Sequence, residues 1–552
     1  MSRAPTVQPN TSGVHRTGWL TDRIIGGVTV AVGFVGIAVL VIMLKVADAA
    51  PLDKRPELQI AAIKYGLGVM ASGGAIAALL LAIRRQRLSE ANHELALKAQ
   101  SHTERDAAER RINELFTKAV EHLGASDAAV RLGGMYALER VAQTDPAQRQ
   151  TVVDVICAYL RMPFDPVTHS GLPRRQRIPR ASRGATHQTS GGDQRQELQV
   201  RQAAQRILAA HLPGGVGRSG AELHLWTEVR LNLSGAVLVD LVLDGVRLRD
   251  AAFVGATFVG SADFSRATFR GDVSFRGATF EAEVTFEDAV FENDSDFVDA
   301  SFNKEVDFTR SKFMANASFR LAKFHGPARF REAEMAQATF DNARFAAPAQ
   351  FGAAKFARVA LFRDVEFRAD ARFGEVHFGK CKFLRTQFVG EAWFGHARFA
   401  TSADFGGARF RGNALFIQSQ FGGDALFGET KFEAETSYSN VVFMGLANFG
   451  GARFDAGLFV GARFLGQAWF VAADFIDAGV FDHAAFCGDG RFGSVSGDAT
   501  RFQNTRVYVR PNRRDAWPSG WGLGEGPADT DGFRLLTRLV PAPTQSTEED
   551  LV

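Results

Sequence analysis

Three cysteines, Cys157, Cys381 and Cys487, are all that 552 residues hold. So few, so far apart, exclude a disulfide framework and any CxxC metal pair. Only five tyrosines accompany 48 phenylalanines, which excludes an ordinary mixed aromatic core. A dominant charge is lacking too: 64 Lys and Arg against 61 Asp and Glu leave +3, so direct binding of nucleic acid is not expected. No P-loop, GxSxG, HExxH or dinucleotide fingerprint occurs. The 12 histidines are scattered, and His325, His377, His396 and His483 neighbour Phe at outward positions, where solvated surface is the plainer reading. No catalytic, cofactor-binding or metal residue is assigned, and no enzyme is expected.

What the chain does have begins with two apolar runs. Residues 24–44, "IIGGVTVAVGFVGIAVLVIML", lie between Arg23 and Lys45; as a helix they span about 31 Å, against a hydrocarbon core of about 30 Å. Residues 66–83, "GLGVMASGGAIAALLLAI", form the second run. Arg16 and Arg23 precede the first, and Arg84, Arg85 and Arg87 follow the second. The positive-inside rule therefore predicts a multi-pass protein of the cell membrane with both termini cytoplasmic and a short outer loop. Two buried helices of a soluble domain, or a signal peptide cleaved after Ala49, are the alternatives; the first run is longer than a usual signal core. Gly66, Gly68, Gly73 and Gly74 would let the second helix approach a partner closely or simply pack the hairpin. Neither span holds an acid or a His, so no ion path is implied.

Residues 86–122 contain no Pro or Gly and alternate charge with Leu88, Leu95, Leu97, Ile112, Leu115 and Phe116, predicting a helix that leaves the membrane. Its apolar positions hold no strict heptad, so self-association through this segment or the spans stays open. Ser126 or Asp127, then Asp145-Pro146, open two further helices. The predicted organisation is a tail (1–23), a transmembrane hairpin (24–83), a helical region (84–163), a disordered basic linker (164–193) and a capping helix (194–215). Repeats (221–502) and a C-terminal cap and tail (503–552) complete it. The linker arginines are read as a solvated tether, with contact to anionic lipid as the functional alternative.

The repeats carry the strongest signal. Leu233, Leu238, Leu243, Leu248, Phe253 and Phe258 recur every five residues. Steps of six and five then alternate through Phe264, Phe269, Phe275, Phe280, Phe286 and Phe291 down to Phe492, with only Met335 and Tyr438 replacing Phe. The residue two before each is small: Ala262, Ala267, Val273, Ala278. Such a period fits neither an α-helix nor a long strand. It suits a chain that turns a corner every five residues, with the ring filling the centre and the small residue beside it. Four faces close a coil, and about 49 central positions make about 12 coils, a rod near 58 Å at ~4.8 Å per layer. Steps of five where six is due fall at Met335–Phe340, Phe383–Phe388 and Phe454–Phe459 on this count.

The stretch "SGAVLVDLVLDGVRLRDAAFVGATF" resembles the pentapeptide repeat family, whose unit is Ala-(Asp/Asn)-Leu-X-X. The resemblance implies a right-handed quadrilateral β-helix. With the hairpin and "LFTKAVEHLGASDAAVRLGGMYALERVA", the chain resembles a membrane-anchored bacterial subgroup for which no defined activity is implied. Phe in place of Leu and the sixth residue in alternate units are departures, and imply coils of about 22 residues rather than 20. The helix at 194–215 and the segment with Trp517 and Trp521 are expected to cap the two ends.

Two outer features remain. Glu281, Glu283, Glu287, Asp288, Glu292, Asp294, Asp296 and Asp299 form an acidic patch. Lys312, Lys323, Arg329, Arg344, Lys355, Arg372 and Lys382 precede Phe and would form a basic row if stacked. Glu281, Glu283, Glu287, Asp288, Lys323, Arg329, Arg344 and Lys355 are the candidate docking residues. The expected function is a non-catalytic scaffold presenting a cytoplasmic β-helix to a protein partner. Alternatives are a DNA mimic acting on a topoisomerase-like protein, which needs a more acidic rod, and an accessory subunit of a transport complex.

Overall fold

Each ring column is a stack of short parallel strands. In the computed structural model, residues 18–51, 53–166, 191–214, 225–495 and 498–539 are described. The N-terminal tail to residue 17, most of the basic linker and the tail from residue 540 lie outside them. The chain divides into two compact units, Met1–Arg111 and Ile112–Val552, taken in turn.

In the first unit, helix α1 (Gly18–Asp48) and the start of helix α2 (Arg55–Leu123) form a hairpin. Both are long and apolar enough to cross a membrane. Phe34, Ile37, Ile42, Leu67, Ile76 and Leu79 are exposed on them. Glycine decides how closely they pack. A Cβ on Gly36 would lie 2.8 Å from Met70 Cγ, one on Gly66 would lie 2.5 Å from Leu40 Cδ1, and one on Gly73 would collide with Val32. Gly68 and Gly74 face open space, so of the four glycines singled out in the second span only Gly66 and Gly73 serve the hairpin. The two classes lie on different sides of one helix.

In the second unit, four ladders wind as a four-sided β-helix. The first face starts at Leu231–Asn232, the second at Val237–Val239, the third at Ala262–Asp263 and the fourth at Arg247–Leu248. Successive coils pair in register: Leu231 with Ala251 after 20 residues, then Val273 with Ser295 after 22. Three coils before Phe475 lose a residue, as in the pairing of Ala317 with Ala338, and a fourth loss follows it, where Gly479 pairs with Thr500 after 21. The first and third losses fall at Met335–Phe340 and Phe454–Phe459, as the sequence predicts. The second does not. The ladder slips between Phe356 and Val359 against His377–Lys382, which puts the loss at Phe378–Phe383. The Phe383–Phe388 step has its normal five, because it crosses a tight corner.

Tight and wide corners alternate. At the tight corners the carbonyl before the turn accepts from the amide three residues on, as Phe275 does from Ala278 N at 2.9 Å, with Gly277 at φ 62°. Elsewhere this left-handed position holds Arg266, Asp288, Leu321 or Ala353, a conformation that costs a Cβ-bearing residue roughly 1–2 kcal/mol. Stacking above and below fixes it regardless. The six-residue steps are the wide corners.

Inside, rings of successive coils stack nearly parallel. Phe330, Phe351 and Phe373 have centroids 4.8 and 4.7 Å apart with planes 3° off parallel. Rings of the first face meet those of the third edge-on, as Phe340 meets Phe351 at 5.6 Å and 89°. These are the two arrangements that an aromatic quadrupole favours. Tyr438 is the exception: it is fully buried, its hydroxyl has no partner, and burial raises its pKa well above the ordinary value. Tyr438→Phe should raise stability by about 1 kcal/mol, since a buried unsatisfied hydroxyl costs about 1–3. Thermal denaturation of the full chain reads it; a fall instead would mean that the hydroxyl is satisfied.

Both ends are closed. Helices α3 (Ala128–Thr144), α4 (Arg149–Arg161) and α5 (Gly191–His211) pack through Met135, Leu138, Val153, Ile156 and Leu208 onto Trp226 and Leu233. Asp127 caps α3 by accepting from Ala129 N, and Asp145 with Pro146 starts a short 3₁₀ turn before α4. Two glutamines satisfy the open edge as a further strand would: Gln205 donates to Val239 O and accepts from Val239 N, and Gln150 does the same for Arg230. At the far end Trp517 lies over Phe492 at 5.5 Å and Trp521 meets Phe502 edge-on. Strand Arg506–Tyr508 stays in the fourth ladder but pairs antiparallel with Phe533–Arg538, which ends the stacking.

Candidate interaction surface

The rings fill the centre of the solenoid, so its chemistry lies on its outside. Leu233, Leu238, Leu243, Leu248, Phe253, Phe258, Phe264, Phe269, Phe275, Phe280, Phe286 and Phe291 are all buried. Outward positions recur once per face, so a period of five or six moves a side chain a quarter turn rather than one coil up. This separates residues that the sequence suggests as one row. Lys312 and Lys355 lie on the fourth face with Glu334 between them. Lys323 and Arg344 are neighbours on the second face. Arg329 and Arg372 lie on the third with Gln350 between, and Lys382 is on the first. The acidic residues 281–299 likewise encircle one coil. Glu281 follows the second face, Glu283 leads to the third, Glu287 and Asp288 form the corner beyond it, and Asp296 lies on the first.

Most of these charges are matched one coil away. Arg310 donates to Asp288 at 2.8 and 2.9 Å, Arg385 to Asp364 at 2.7 Å through two nitrogens, Lys323 to Asp299 at 2.7 Å and Lys355 to Glu334 at 3.0 Å. Arg329–Glu305 and Arg363–Asp341 are further close pairs. The hydrogen bonds from Arg310, Lys355 and Arg385 hold Asp288, Glu334 and Asp364 below the usual carboxylate range. The Arg310–Asp288, Lys355–Glu334 and Arg385–Asp364 pairs are well exposed, so each adds little stability; Asp341 is buried. Their effect is to hold side chains in fixed directions along the ladder.

One stretch also stacks like charges. On the second face Arg409, Lys431 and Arg453 stand directly above one another, three like charges at ladder spacing. They continue the face that carries Lys323 and Arg344. A residue-by-residue count does not reveal them; grouping the units in fours does.

The histidines at 325, 377, 396 and 483 are exposed. Among the described residues no group of three or more His, Cys, Asp or Glu is placed to hold a metal ion. Cys381 is buried in the first ladder beside Asp404, and burial pushes its thiol well above the ordinary pKa; Cys157 is raised to about 11 for the same reason.

A family model described as pentapeptide repeats (9 copies) matches residues 243–290, 264–312, 286–334 and 308–355. Among curated proteins and solved structures no significant match was found. The matched segment lies wholly within the four-sided stack, whose four ladders continue beyond it. The solenoid is a pentapeptide-repeat β-helix.

Proposed function

We propose that this protein is a membrane-anchored scaffold that presents its β-solenoid to a cytoplasmic protein partner and catalyses no reaction itself. The observation that carries the reading is the filled core: with rings occupying the centre of each coil, what the solenoid offers is four rows of outward side chains, held in place by ladder and ion pair. The exposed apolar surface of α1 and α2 supports the anchor, and arginines at 16, 23, 84, 85 and 87 support cytoplasmic termini.

Vesicles of both orientations test the anchor and its topology together. The full chain is expected to resist alkaline extraction, and trypsin is expected to cut in the arginine-rich stretch 173–184 only in inside-out vesicles. Release by alkali, or cutting from the outer side, would overturn the anchored or the cytoplasmic part of the reading respectively.

A further inference from the structure

The third face changes character halfway along. Its outward column holds Asp263, Asp307, Arg329 and Arg372 in the early coils. Trp393, Leu415, Ser437, Leu458 and Val480 then follow one another up to Arg501. Two residues along from these, Gly395, Ile417, Ser439 and Val460 form a second column without charge. The indole of Trp393 covers both columns: a Cβ on Gly395 would come within 2.4 Å of its Cζ2, and one on Gly374 within 2.8 Å of its Nε1. Leu415, Ile417, Leu458 and Val460 are partly exposed, and Val480 closes the strip as a buried residue. Ser437 Oγ and Ser439 Oγ share a hydrogen bond at 2.9 Å, so the two polar side chains in the strip answer each other. Solubility alone would keep the charges of the early coils here.

The two corners beside the strip differ. Between the second and third faces, residues 389–391, 411–413, 433–435, 455–456 and 476–478 carry Glu391, Glu433, Glu435, Asp455 and Asp477 against Arg411. Arg409 holds Glu433 at 2.6 Å, and the other four acids lie in no ion pair among the described residues. The second-face cations Arg409, Lys431 and Arg453 stand beyond this corner. Between the third and fourth faces His396, Gln418, Asn440 and Gly461 supply neither acid nor Lys nor Arg. The strip is therefore apolar along its middle and acidic along one side only.

We infer that this strip docks a single amphipathic helix of a partner protein. Its apolar stripe lies against Trp393, Leu415, Ile417, Leu458 and Val460, and Lys or Arg along one flank meets the acidic corner. The inference rests on the scaffold reading above and names the chemistry of the partner. Size selects the occupant. From Trp393 to Val480 is four ladder steps, about 19 Å at ~4.8 Å each, and the two columns stand about 7 Å apart. That is the footprint of about 13 residues of helix, a cylinder ~10 Å across. The strip offers roughly a quarter of the ~800 Å² per partner that a stable interface between folded domains takes, so a second solenoid gains too little from it. Charge then sets the flank, because the carboxylates of that corner repel an anionic bilayer or a nucleic acid and attract a basic helix.

The test uses the full chain in neutral-lipid nanodiscs and two fluorescein-labelled peptides of about 16 residues, read by anisotropy. Both carry leucines at helical spacing; one flank is lysine in the first and glutamate in the second. The lysine-flanked peptide is expected to bind at least about tenfold more tightly than the other. Leu415→Arg with Leu458→Arg should weaken it by at least about tenfold, and Glu391→Gln with Glu435→Gln should bring the two peptides to within about threefold. Arg329, Arg372 and Arg501 already occupy the same column, so the arginine variant should melt like the parent, which shows that lost binding is not lost fold. Met444→Arg with Leu465→Arg, an exposed apolar pair following the fourth face, should leave binding within about twofold. Absence of binding, equal affinity for the two peptides, or equal loss in the two arginine variants would overturn the proposal. So would self-association of the chain, or tighter binding of phosphatidylserine vesicles, that Leu415→Arg with Leu458→Arg abolishes. If neither peptide binds while solenoid-dependent partners are still found in cells, the strip is wrong and the scaffold reading stands.

Discussion

Gly445→Ala and Gly488→Ala should destabilise the solenoid by at least about 3 kcal/mol each, far beyond the usual surface substitution. Both glycines sit at the wide corners between the fourth and first faces, where Gly423, Gly445, Gly466 and Gly488 follow one another from coil to coil. A Cβ on Gly445 would lie 2.6 Å from Gly423 C, and one on Gly488 would overlap the carbonyl of Gly466. The obstacle is backbone, so no rotamer change relieves it; the corner must open and give up ladder hydrogen bonds on both sides. Gly277→Ala is the internal control. Its φ is 62° but nothing lies within 4 Å of the added carbon, so only the left-handed conformation is penalised, by about 1–2 kcal/mol. Thermal unfolding of the full chain in detergent, followed by circular dichroism, separates the two classes; equal losses would show that corner crowding does not limit the stack.

Phe351→Ala is expected to cost about 3–5 kcal/mol, the range for emptying a buried aromatic site. Phe351 stacks on Phe330 and Phe373 and meets Phe340, Phe345 and Phe362 edge-on. Neighbouring coils are anchored above and below and cannot collapse into the space. In a stacked array stability is a sum of coil and interface terms, so weakening one central coil should split a single unfolding transition into two. Phe351→Leu should cost less than about 1.5 kcal/mol. Leu233, Leu238, Leu243 and Leu248 already fill this position in the first coil. A loss for Leu as large as for Ala would mean that the ring's stacking geometry, rather than its volume, holds the coils together.

The central columns were legible because their cause is local: a corner every five or six residues forces a large residue inward at a fixed beat, and Leu233 to Phe492 obey it. Caps at Trp517 and Trp521 were legible for a similar reason, since a stacked edge needs an apolar cover. What was hidden depends on the count around the coil. Lys323 and Arg344 become neighbours while Lys355 moves to another face, because coils of 20, 21 and 22 residues decide which positions stack, and one slip at Phe378–Phe383 shifts all that follow. The row Arg409, Lys431 and Arg453 lay in plain view at equivalent positions, 22 residues apart, but a pattern read one unit at a time passes over it. The edge-satisfying roles of Gln150 and Gln205 left no sequence signal, since an amphipathic helix shows which side is buried and not which strand it will meet.

Proximity labelling in the native membrane tests the central claim most directly, with the labelling enzyme fused after Val552 and, as control, fused to a truncation lacking residues 221–552. The scaffold reading expects at least one protein enriched by the full chain alone. Matching profiles for full chain and truncation would contradict it, and would leave the solenoid without the partner it is proposed to hold.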